Sequence, residues 1–89
     1  LLVDGHARDA TRLTEGLASN DLATVDRLAH TLKGSAGNVG ALWVAQAAAA
    51  LQAAIRSQTA REEVDTCCHA LVAELERLLE MIQSALRGQ

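Results

Sequence analysis

An all-α fold, an antiparallel up-down four-helix bundle, follows from three observations on the 89-residue sequence. Proline is absent, the single aromatic residue is Trp43, and apolar residues recur three and four apart along four segments separated by short breaks. Strands built from β-branched and aromatic residues are thereby disfavoured. A chain of this length forms one domain, 1–89, with a single modest core and no room for a nucleotide-binding domain beside it.

The predicted helices span about 2–18, 21–36, 41–57 and 60–87. In the first, Val3, Ala10, Leu13 and Leu17 form the apolar stripe, weakened by Gly5 and Gly16. Ser19-Asn20-Asp21 ends it: Asn20 tolerates a left-handed backbone and Asp21 can cap the next helix. The second carries Val25, Leu28, Ala29, Leu32 and Ala36 inward, which turns Asp26, Arg27, His30, Lys33 and Gly34 outward. Gly37-Asn38-Val39-Gly40 reads as a turn.

The third helix runs through Val44, Ala48, Leu51 and Ile55, and its many alanines permit close approach of a neighbour; Trp43 is expected to plug one end of the bundle. Thr59-Ala60-Arg61-Glu62 matches a capping box for the fourth. There Val64, Cys68, Leu71, Leu75, Leu78 and Ile82 alternate four and three apart, the seam of a helix packed antiparallel in a bundle.

Composition excludes several function classes. The net charge of −3 lies entirely on residues 60–89, with six acids against three bases, while residues 1–59 balance at five and five. Nothing there invites nucleic acid or an anionic membrane surface. Apolar runs such as Ala47 to Leu51 fall far short of the ~20 residues needed to cross a bilayer, so no direct membrane contact is expected. The adjacent Cys67 and Cys68 cannot bridge one another within a helix without strain, and they read as reduced thiols of a cytoplasmic setting. The chain opens on Leu1 rather than methionine, so a fragment of a larger protein is expected.

The chemistry concentrates between Ala29 and Gly40, Ala-His-Thr-Leu-Lys-Gly-Ser-Ala-Gly-Asn-Val-Gly. On a helix, Lys33 lies three and Gly34 four residues beyond His30, so the three share a face. A neutral imidazole is a nucleophile that forms covalent intermediates, and a cation one turn away suits a negatively charged group such as phosphoryl. Glycine, at about 1 kcal/mol per helical position relative to alanine, clears the approach. No phosphate-binding loop and no acidic constellation for Mg²⁺ is present, so catalytic machinery must come from a partner. On spacing alone, the bland reading of one exposed histidine and one solvated lysine holds most of the weight.

His30-Thr-Leu-Lys33-Gly34-Ser-Ala-Gly37-Asn-Val-Gly40 resembles the HxxKGxxxxxG signature of histidine-containing phosphotransfer (HPt) domains of two-component phosphorelays. Asp21-Leu22 and Leu51-Gln52 sit where that family keeps an Asp-Leu and a Leu-Glu or Leu-Gln pair, and the resemblance spans roughly 1–58.

It implies a phosphocarrier without its own catalytic machinery. His30 would take a phosphoryl group from a receiver-domain aspartate and pass it to another receiver; Lys33 would steady it. Gln52 would hydrogen-bond the imidazole or phosphate. Leu22, Ala23, Asp26, Arg27, Gly34 and Gly37 would form the docking patch, and Mg²⁺ would come with the receiver. The expected parent is a hybrid sensor kinase, with this module monomeric in the cytoplasm, free or at the cytoplasmic end of an inner-membrane kinase. The His-Glu-x-x-Thr-Pro box of kinase dimerisation domains is missing.

Two rivals stand beside this reading. One is a helical interaction or dimerisation module in which His30 is incidental. The other is a metal site from His6, His69 and the cysteines. It is disfavoured, because Cys67, Cys68 and His69 are consecutive and point about 100° apart on a helix. Glu62, Glu63 and Asp65 are explained by the helix dipole.

Overall fold

The computed structural model describes the backbone of residues 2–88 and the side chains of residues 8–88. The helices are α1 (Leu2–Ala18), α2 (Leu22–Asn38), α3 (Leu42–Arg56) and α4 (Arg61–Arg87). Each packs on the next, and α4 returns to α1, closing a four-helix ring with no close approach across the diagonals among the described residues. The 27 residues of α4, against 15 to 17 in the others, account for much of the 45 Å long axis. No helix among the described residues is long and apolar enough to cross a membrane.

The apolar stripes become the core. Leu13, Val25, Leu32, Val44, Leu51, Cys68, Leu71 and Leu75 are sealed from solvent, with Ile55 and Ile82 at the periphery. Gly16, which reads in the sequence as a weak point of the first helix, is buried. A Cβ there would stand 3.0 Å from Val25 Cγ2, so its smallness sets how closely α1 approaches α2. Val3, Gly5 and His6 lie outside the described side chains.

All three turns use the same hydrogen-bonded closure. Asn20, Gly40 and Gln58 each have positive φ, at 59°, 82° and 54°. The following amide reaches back five residues: Asp21 N–H to the Gly16 carbonyl, Ala41 to Ala36, Thr59 to Ala54, at 2.8, 2.8 and 3.2 Å. This is the Schellman closure, which satisfies carbonyls that a helix end otherwise leaves without donors. Asn20 was anticipated by residue type; Gln58 has no such signal.

Four expectations need correction. α2 does not end near Ala36 but continues through Gly37 and Asn38, because its termination is set by left-handed Gly40 and not by the low helix propensity before it. Thr59 is not the cap of α4: the N-cap is Ala60 without a side-chain cap bond, and the Thr59 hydroxyl turns back to donate to the Ala54 carbonyl at 3.0 Å. Trp43 does not plug the bundle end but is 37% exposed, one position off the buried stripe at Val44 and so about 100° round the helix. Asp26 is turned not fully outward but towards α3, half-buried.

Candidate functional site

Helix α2 builds the site. Its start is fixed by Asp21, whose carboxylate accepts from the Thr24 amide at 3.3 Å and from the Thr24 hydroxyl at 2.7 Å. Those two bonds, the hydroxyl first, hold the Asp21 carboxyl below its ordinary value. From there the inward stripe Val25, Leu28, Ala29, Leu32 and Ala36, all buried, fixes the rotation of the helix. His30 and Lys33 consequently stand on the exposed face.

Neither side chain is engaged: among the described residues, the His30 ring and the Lys33 ammonium have no hydrogen-bond or ion-pair partner. The face around them is low. A Cβ placed on Gly34 or Gly37 would meet nothing within 4 Å, so these glycines are not required by packing inside the domain. Ala23 and Arg27 share the exposed face, and Leu22 is half-buried against the core at its edge. The six residues expected to form a docking patch thus lie along one side of α2. An exposed nucleophile, a free cation one turn on and an unobstructed surface can take up a negatively charged group delivered by a large partner.

Gln52 comes to this face from α3, but its partner is different from the one expected. Gln52 is 6% exposed, and its Nε2 donates to the Asp26 main-chain carbonyl at 3.3 Å and to Asp26 Oδ1 at 3.4 Å. In an α-helix that carbonyl is the acceptor for the amide four residues on, here His30. Gln52 therefore fastens α3 to the peptide group that holds the histidine, and its amide is not bonded to the ring.

Sequence reasoning missed Arg56. One turn beyond Gln52 on α3, its Nε lies 3.4 Å from Asp26 Oδ1 and its guanidinium also approaches Oδ2 at 3.5 Å. The signal was present as two i,i+4 pairs, Asp26 with His30 and Gln52 with Arg56, but only the tertiary fold brings the pairs together.

The remaining candidates do not converge. Among the described residues no three His, Cys, Asp or Glu side chains gather in a metal-binding group. Cys68 is buried and its thiol is pushed up by that burial, with the Asp65 carboxylate adding to it; Cys67 is half-buried, and both are free thiols. His69 is exposed on α4, and His6 lies outside the described side chains.

Comparison with known proteins gives a match to one family, the Hpt domain, over residues 1–85, a span that takes in the first three helices and all of α4 but its last two residues. No curated protein and no solved structure gave a significant match. With a family match over nearly its whole length and a four-helix bundle beneath it, the chain belongs to the Hpt domain family, whose members serve phosphotransfer in two-component signalling and interact with receiver domains.

Proposed function

We propose that this domain is a phosphorelay intermediate in which His30 accepts a phosphoryl group from a receiver aspartate and passes it to a second receiver. The observation that carries the reading is the unengaged His30 on the exposed face of α2, with free Lys33 one turn on and open space over Gly34.

In the forward step the lone pair of a neutral ring nitrogen attacks phosphorus. The bond from phosphorus to the aspartyl oxygen breaks, and its electron pair stays on the receiver carboxylate. The other ring nitrogen then gives its proton to solvent. Lys33 offsets charge on the transferred oxygens, and the Mg²⁺ that phosphoryl transfer uses for the same purpose is assigned to the receiver. Positioning supplies the rest: the buried stripe fixes how α2 is rotated, and Gln52 holds the peptide group behind His30.

The receiver docks over Leu22, Ala23, Asp26, Arg27, Gly34 and Gly37. In this reading the domain works as a monomer in the cytoplasm, as a module of a hybrid sensor kinase, and it does not phosphorylate itself. The test is transfer of acid-labile label from a radiolabelled phosphoreceiver to the wild-type domain and to His30→Gln. Label on the wild type alone supports the reading; label on the variant refutes it.

A further inference from the structure

Asp26 and Arg56 form an ion pair whose position suits control of the phosphorylated state. The Asp26 carboxylate sits one turn before His30, and side chains four apart on a helix have Cβ atoms about 5–6 Å from each other. Left alone, that negative charge would repel a phosphoryl group on the ring. It is not left alone: Arg56 lies within 3.5 Å of both carboxylate oxygens, and the Gln52 amide reaches one of them.

The pair is too exposed to be explained as a stability device. The Arg56 side chain is 64% exposed and that of Asp26 27%, and surface ion pairs of this kind contribute little to folding. Other charges on the exposed face of α2 are Arg27 and Lys33, both cations. Asp26 is therefore the anion that α2 itself brings to the His30 face, and Arg56 is the group that masks it.

We propose that Asp26 and Arg56 are an electrostatic positioning pair that sets how long His30 holds a phosphoryl group, Asp26 shortening the lifetime and Arg56 lengthening it. The proposal rests on His30 being the acceptor. Loss to water is the step it governs. A water oxygen bonds to phosphorus, the N–P bond breaks with its electron pair returning to the ring nitrogen, one water proton goes to that nitrogen, and the other stays on the inorganic phosphate.

The experiment uses phosphoramidate as a donor that needs no receiver. Its N–P bond breaks as the His30 nitrogen bonds to phosphorus, and ammonia leaves with the proton from the other ring nitrogen. The whole domain is loaded, excess donor is removed, and decay of the His30 phosphorus resonance, identified by its absence in His30→Gln, is followed at neutral pH. Arg56→Gln should lose phosphoryl roughly two- to five-fold faster than wild type, and Asp26→Asn slower by a similar factor, as expected for one interaction between exposed charges. The double variant should return close to wild type, while melting temperatures stay nearly constant. Single variants that change lifetime in the same direction, or not at all, overturn the proposal and leave His30 as acceptor intact. A wild-type domain with no His30 resonance overturns that reading and this proposal with it.

Discussion

Gln52 Nε2 donates to the main-chain carbonyl of Asp26 at 3.3 Å, joining the centre of α3 to the turn of α2 that carries His30. Gln52 is buried and the bond half-buried, so it is partly shielded from competing water. Gln52→Ala removes it and leaves a small void. The expected cost is about 1–2 kcal/mol in denaturant unfolding, together with slower phosphoryl uptake because the peptide behind His30 is less firmly held.

Substitutions at Gly34 distinguish folding from the proposed docking. Nothing lies within 4 Å of a Cβ at this helical position, and alanine is the better helix former. Gly34→Ala should therefore stabilise the domain by up to about 1 kcal/mol in thermal unfolding. Gly34→Gln should also fold, yet transfer from a phosphoreceiver should drop by an order of magnitude or more, because the side chain would occupy the surface proposed for receiver docking.

The turns respond in opposite directions to glycine. Gly40 has φ of 82°, so Gly40→Ala should destabilise by about 1–2 kcal/mol although there is space for the methyl group. Gln58 has φ of 54°, and Gln58→Gly should relieve that strain, raising stability by up to about 1 kcal/mol after the greater freedom of the unfolded chain is offset. Paired melting curves decide both.

Asp21 gives stability an acid limb. Its carboxyl is lowered from the ordinary 3.8 by the Thr24 hydroxyl and amide, so the folded state favours the ionised form. The contribution is fully present above the unfolded value and fades as pH falls through the lower folded value. Asp21→Asn should keep most of the cap and flatten this part of the profile, whereas Asp21→Ala should lower the melting temperature at neutral pH as well. Melting temperatures between neutral and strongly acid pH test the sign.

The two thiols should differ in reactivity. Cys68 is fully enclosed and burial keeps its thiol protonated, whereas Cys67 is half-buried. A maleimide should label Cys67 in the native domain and both cysteines in denaturant, as read by peptide mass.

What was legible in the sequence is what local periodicity encodes. The buried stripe of α2 follows from residues three and four apart, and it alone is enough to turn His30 outward. The Asp21 cap is a bond within one turn, and it forms as residue type suggests. What was not legible depends on contacts between distant segments. The partner of Gln52 lies 26 residues away, and that of Arg56 lies 30 away.

Arg61 is another case. Its guanidinium joins the Leu17 carbonyl and Asn20 at the end of α1 while also pairing with Asp65, a tie between α1 and α4 that no spacing rule anticipates. At the end of α2, low glycine propensity points to a stop near Ala36, but backbone hydrogen bonds outweigh it and carry the helix to Asn38. Thr59 matches a cap by residue type, but a hydroxyl beside a helix start can equally close the turn before it, as this one does.

The central claim is that His30 carries a phosphoryl group from one receiver to another. The most direct measurement is a chase: label the domain from one radiolabelled phosphoreceiver, remove that donor, then add a second, unphosphorylated receiver with Mg²⁺. Acid-labile label should appear on the wild-type domain, be absent from His30→Gln, and move to the second receiver. Label that persists in His30→Gln, or that never leaves the wild-type domain for a receiver, would contradict the account.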